Sequence, residues 1–242
     1  MPQQRAERIS NVSILASYFD NSRNNEISQV GIARRAKRRY FAPMHSHFAN
    51  LKSEISACQL CAERFAGTAT AHEPRPTVWF DESASILIAG QAPGLRVHQS
   101  GRPFTDPSGD RLRDWLKLDA TEFYDRARVA IVPMAFCFPG YDAKGADLAP
   151  PAICAKSWHR RVMEGLGNIR LTILVGGYAQ KWHLKSKASV TDTVRGWDDC
   201  APSVFPLPHP SWRNTAWLKR NLWFESDLLP ALRHQVRMVL NG

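Results

Sequence analysis

The chain has 242 residues, 44% hydrophobic and 22% charged, which is the balance of a soluble globular protein long enough to bury a core. No apolar run reaches the roughly 20 residues of a membrane span. The opening MPQQRAERIS lacks the apolar stretch of a secretory signal, so membrane and secreted classes are set aside and a cytoplasmic protein is expected, nucleoid-associated if bacterial. Lysine and arginine number 32 against 22 acids, a net charge of +10 that points to a polyanionic partner, nucleic acid first; an inert basic surface is the plain alternative.

Residues 1–45 carry the basic cluster Arg34, Arg35, Lys37, Arg38 and Arg39 with few apolar repeats. They read as a basic arm with a short helix around Ile14–Phe19, or as a solvated tail without a role. Residues 46–242 read as one domain. Phe48, Leu51, Ile55 and Leu60 fall near helical spacing and lead into a C-x-x-C pair, Cys58 and Cys61. Four short apolar runs then predict buried strands at Ser85–Ala89, Arg128–Val132, Leu171–Val175 and Ser203–Leu207. Helical patterns cover Arg111–Leu118, Ala152–Leu166, Tyr178–Leu184 and Asp227–Leu240. Alternation of this kind predicts an α/β three-layer sandwich: a central, mostly parallel four-stranded sheet flanked by helices. Pro206 marks the last strand as an edge or an early end.

Ligands of such sheets sit in the crevice at the carboxyl ends of the strands. The segments there are GQAPG (from Gly90), PMAFCFPG (from Pro133), GGYAQ (from Gly176) and PHPSWRN (from Pro208). Three are rich in glycine and proline, the composition of loops that hold fixed backbone shapes. The five cysteines, Cys58, Cys61, Cys137, Cys154 and Cys200, are an odd count that argues against a disulfide framework. The C-x-x-C by itself leaves redox, zinc and iron–sulfur chemistry open.

The ordered set GQAPG, GRPF (Gly101–Phe104), CFPG (Cys137–Gly140) and HPS (His209–Ser211) resembles the uracil-DNA glycosylase superfamily. The cysteine pairs make the chain similar to its iron–sulfur branch, family 4 and relatives. That resemblance implies a 4Fe–4S cluster on Cys58, Cys61, Cys137 and Cys154, with a role in holding the fold. A zinc site accepts the same four ligands and is the rival reading. Cys200 has no counterpart and reads as a free, partly buried thiol.

The resemblance implies a DNA base-excision glycosylase that flips a uracil out of DNA and hydrolyses its N-glycosidic bond, leaving an abasic site. Phe104 matches the aromatic on which the extruded base stacks; an ordinary core phenylalanine is the alternative. His209 matches the histidine that donates to the uracil carbonyl as charge builds there. Gly90, Ala92 and Met134 fall where loop groups meet the base. The first motif carries Gln91 and Ala92 where many members have a carboxylate. Asp106 is then the nearest acid for positioning water or stabilising the sugar cation, with Gln91 orienting water and His98 the other titratable group in the loop. Asp106 also suits the N-cap of the helix that follows. The stretch Val132–Phe136 has no side-chain amide where strictly uracil-reading relatives place an asparagine, which opens the site to other deaminated bases such as xanthine or hypoxanthine. Ser211, Trp212, Arg213 and Asn214 match the loop that enters the duplex, with Trp212 and Arg213 as the wedge and Ser211 on a phosphate. Trp212 and Trp217 packing on the last helix is the alternative. A monomer acting on damaged DNA is expected; a protein that binds damaged or abasic DNA without turnover is the second function class, and an iron–sulfur electron carrier the third.

Overall fold

The computed structural model describes residues 44–242. The basic arm and its expected helix around Ile14–Phe19 lie outside the described residues. Helix α1 (Met44–Ser56) buries Phe48, Leu51 and Ile55 along one stripe, and α2 (Ala62–Ala66) follows the C-x-x-C. Leu60, expected to continue the stripe of α1, instead lies between the two cysteines and is exposed.

The strands are β1 (Ile86–Ala89), β2 (Val129–Ile131), β3 (Leu171–Val175) and β4 (Val204–Leu207). They form one sheet of order β2-β1-β3-β4 in which every pair is parallel. All four are buried on both faces, which is why they read as continuous apolar runs rather than alternating ones. Pro206 sits in the edge strand β4. There the amide hydrogens of Thr172 and Gly176 bond to the carbonyls of Ser203 and Leu207, so the register turns the nitrogen of Pro206 away from β3.

Between β1 and β2 run α3 (Leu95–Ser100), α4 (Pro107–Leu116) and α5 (Ala120–Tyr124). Helix α6 (Ala152–Gly165) precedes β3, and α7 (Gly177–Leu184) and α8 (Val190–Arg195) precede β4. Helix α9 (Thr215–Arg220) and a π-turn over Phe224–Leu228 lead into α10 (Leu229–Asn241). The last helix thus begins later than the pattern from Asp227 predicts: Pro230 has no N–H to close the preceding turn.

Alternate strand residues divide the core. Ile86, Ile88, Ile173, Val175, Phe205 and Leu207 pack on one face against α4, α8 and α10. Leu87, Ala89, Ala130 and Leu174 face α1, α6 and α7 on the other. This is the expected three-layer sandwich. The chain leaves β1 toward β2 on one side and reaches β3 on the other, so the crevice at the carboxyl ends of β1 and β3 is the topological switch point.

Candidate active site

The loops after β1 and β2 are fastened to each other. The amide hydrogens of Met134 and Ala135 donate to the carbonyls of Gly90 and Gln91 at 2.9 and 3.1 Å. Those two N–H groups are therefore consumed inside the protein. Gln91 and Ala92 are half-buried, and the Met134 side chain is buried with Ala89, Leu174 and Ala179 in the core.

Phe104 reaches Gly90 from the other end of the same connection. A Cβ on Gly90 would stand 3.9 Å from the tip of the Phe104 ring, in ordinary contact, which places the ring beside the end of β1. Phe104 has φ of 53°, a left-handed conformation that a bulky residue adopts only under constraint. Its carbonyl accepts from the Tyr124 hydroxyl at 2.8 Å and from Arg113 Nη1 at 3.2 Å, and its ring meets Phe123 edge-on at 5.9 Å. Gly109 closes the constraint: a Cβ there would lie 1.9 Å from the Phe104 carbonyl oxygen. Phe104 is partly buried against the core while its position beside Gly90 keeps it at the mouth of the crevice.

Asp106 is the N-cap of α4, its Oδ1 accepting from the Gly109 amide at 3.2 Å. The cap expected as its alternative role is present. Its carboxylate also acts electrostatically on His209.

His209 follows β4 and is held from several sides. Leu207, two residues earlier, accepts from the Gly176 amide at 2.9 Å and from Gln180 Nε2 at 2.9 Å. Gly176, at φ of 82°, a conformation that favours glycine, lies beside His209, where a Cβ would make ordinary contact at 3.7 Å. The His209 carbonyl accepts from Asn214 Nδ2 at 2.7 Å. Its Nδ1 accepts from the Ser211 amide at 3.2 Å, which assigns the proton of the neutral ring to Nε2 and makes Nε2 a donor. Burial holds this imidazole below its usual pKa, against the pull of Asp106 and Asp147.

Asp147, which the sequence reading did not single out, acts electrostatically on His209. It stands on a small hairpin after β2, paired with Tyr141 in an antiparallel bridge and turned by Asp142, whose Oδ1 accepts from the amides of Lys144 and Ala146. Nothing in the run DAKGAD marks it; only the hairpin brings it to His209.

His98 lies among aromatic rings. Its ring meets His72 edge-on at 5.0 Å and Phe138 at 5.9 Å, and burial, aided by His72 and Arg75, lowers its pKa. His72 bridges Thr70 Oγ1 and the Phe138 carbonyl at 2.8 and 2.9 Å. The His98 side chain thus packs the segment before β1 onto the loop after β2.

On the loop after β4, Ser211 caps a short turn over Trp212–Asn214. Trp212 is 73% exposed, with the Arg213 guanidinium 5.9 Å from its ring centre. Trp217 instead packs against Trp223 and Phe224 and donates through Nε1 to Thr191 at 2.8 Å, so the packing alternative holds for Trp217 and not for Trp212.

Cys58, Cys61, Cys137 and Cys154 line one cavity with Phe65 and Trp158 and with no imidazole or carboxylate among its walls. Burial pushes the Cys137 thiol up to about 12 and Cys154 to about 11, with the neighbouring cysteines adding to the rise. The Phe136 amide points at the Cys154 sulfur at 3.4 Å, and the Arg75 amide at that of Cys137. Among the described residues, no three His, Cys, Asp or Glu side chains converge on a position for a single metal ion. Cys200 is a free, half-buried thiol apart from this set.

The loops after β1, β2 and β4 therefore place a constrained aromatic, two carboxylates and a histidine of fixed tautomer at one end of a parallel sheet. No helix among the described residues is long and apolar enough to cross a membrane. The sequence-family model described as "Uracil DNA glycosylase superfamily" matches residues 78–233, a stretch that contains all of these loops. The chain belongs to the uracil-DNA glycosylase superfamily, and its activity is that of a DNA glycosylase acting on DNA.

Proposed function

We propose that this glycosylase removes uracil, and other deaminated bases, by hydrolysis of the N-glycosidic bond, and that it leaves an abasic site without cutting the strand. The observation that carries this reading is the His209 geometry. With Nδ1 occupied by the Ser211 amide, Nε2–H is the free donor, and it needs no protonation to serve. As the bond to the sugar breaks, negative charge gathers on the base carbonyl. A donor fixed in advance stabilises that charge more in the transition state than in the ground state.

Phe104 offers the flat face for the flipped base, held beside Gly90 by its constrained backbone. Asp106, with one oxygen engaged as a cap, orients water and opposes the positive charge of the sugar, with Gln91 assisting. A relaxed base range is supported by the loop after β2. It has no side-chain amide from Val132 to Phe136, and the Met134 and Ala135 amides are already bonded. Trp212 and Arg213 fill the gap left by the flipped nucleotide.

Cys58, Cys61, Cys137 and Cys154 would hold a 4Fe–4S cluster. An all-thiol donor set in one apolar cavity, with amides aimed at two sulfurs, fits such a group. Zinc accepts the same four thiolates and is the rival occupant. When bound, the cluster would tie α2 to the loop after β2 and the start of α6; the chemistry on the base belongs to the loops described above.

The test is a single-turnover screen of duplexes holding one uracil, hypoxanthine, xanthine or ethenocytosine. Release of uracil and at least one deaminated purine supports the reading. Retention of every duplex uncleaved after alkali would make the protein a binder.

A further inference from the structure

Arg111 is a cation that contacts the loop after β4 without a carboxylate partner among the described residues. It lies on α4, a helix whose Leu112, Trp115 and Leu116 are buried in the core and whose first turn is capped by Asp106. From that rigid base its Nη1 donates to the Ser211 carbonyl at 3.0 Å and its Nη2 to Thr215 Oγ1 at 3.5 Å. Both partners follow β4, Ser211 in the loop and Thr215 at the start of α9, about a hundred residues away in sequence, and both are neutral.

Arg113, Arg161 and Arg237 pair with Asp110, Glu54 and Glu122, whereas Arg111, like Arg128 and Arg170, donates to neutral acceptors; of these three only Arg111 donates to the loop after β4. Among the described residues no carboxylate stands within ion-pair distance of Arg111. A guanidinium has five N–H donors in a rigid fork, and two are used here. The rest, with the full charge, stand beside Ser211, next in sequence to the exposed Trp212.

We propose that Arg111 is a phosphate-binding strut, which braces the loop after β4 through Ser211 and Thr215 and gives its remaining donors to a phosphodiester of the DNA backbone beside the flipped nucleotide. The planar fork suits both tasks at once: parallel donors match phosphate oxygens, and the outer edge keeps the loop carbonyl. A lysine would supply the charge without the brace. The proposal rests on the reading that this loop enters DNA.

The experiment measures binding to a duplex with one uncleavable tetrahydrofuran abasic site, by fluorescence anisotropy across a salt series, for the wild-type protein, Arg111→Gln and Arg111→Lys. Arg111→Gln should weaken binding and make the slope of log K against log salt shallower by about 0.9, the share of one neutralised phosphate. Arg111→Lys should keep the wild-type slope but bind more weakly, because a point charge cannot brace both acceptors. An unchanged slope in a folded Arg111→Gln variant overturns the proposal. Should that variant unfold, Arg111→Lys decides: wild-type affinity overturns the proposal, and weaker binding at the wild-type slope supports it. Absence of any salt-dependent binding by the wild-type protein would instead sink the DNA reading itself, and this proposal with it.

Discussion

Replacing Gly109 with alanine separates the constraint at Phe104 from ordinary helix energetics. Gly109 occupies the third position of α4, where propensity alone favours alanine by about 1 kcal/mol. The structure gives the opposite sign. The new Cβ would meet the Phe104 carbonyl oxygen at 1.9 Å and its Cβ at 2.8 Å. Ordinary contact begins near 3.4 Å, so the Phe104 peptide must retreat by about 1.5 Å. That motion strains the hydrogen bonds from Tyr124 and Arg113, each worth about 1 kcal/mol. Overpacking adds about 1–3 kcal/mol. We expect Gly109→Ala to lower stability by about 1–3 kcal/mol in urea denaturation. It should also slow single-turnover base release by about 100-fold, the usual cost of a displacement near 1 Å in a positioned site. A variant as stable as wild type that releases base at the wild-type rate would refute the constraint.

Other expectations rest on separate features. Because burial holds His209 below 6.5 and protonating Nδ1 would break the bond from the Ser211 amide that orients the ring, the single-turnover rate should stay level above pH 6.5 and fall as pH drops through the depressed value. An acid limb centred above pH 6.5 would contradict this. His159 and His183 are buried neutral, with pKa values held down by burial to about 4 and about 3. Their unfolded values are higher, so the stability they allow is full above pH 6.5. It is lost as pH falls toward 4, by about 1.4 kcal/mol per unit for each histidine; a melting temperature flat from pH 7 to pH 4.5 would count against it. Trp212→Ala should leave the melting temperature almost unchanged, since the ring is 73% exposed. It should weaken binding to abasic-site DNA by about 5- to 100-fold, the worth of one stacked base; binding at wild-type strength would remove Trp212 from the interface.

The sheet was legible because parallel strands covered on both faces are continuous apolar runs: Leu171–Val175 spans the same residues in sequence and structure, and the other strands only lose residues at their ends. The short helices were not. Helices α5 and α8 last five and six residues, too few for periodicity, and stand on caps: Asp119 with Glu122, and Ser189 on the Asp192 amide. Those capping patterns were readable as local signals, though α3 and α9 carry no such box. The placement of Phe104, Asp106 and His209 at one end of the sheet followed from where the motifs fall after strands. The bond from Arg111 to Ser211 and the electrostatic influence of Asp147 on His209 did not, because no local pattern encodes either. His98 drew attention as a titratable group in a motif loop; its ring neighbours His72 and Phe138 come from other segments of the chain, which the sequence does not reveal.

The most direct measurement is intact-strand mass spectrometry of a duplex with one U:G pair after single-turnover incubation with the protein. Base hydrolysis predicts a uracil strand that has lost uracil, gained water and stayed unbroken, and a much slower appearance of that mass with His209→Ala. A strand of unchanged mass, or one broken at the uracil position, would contradict the account.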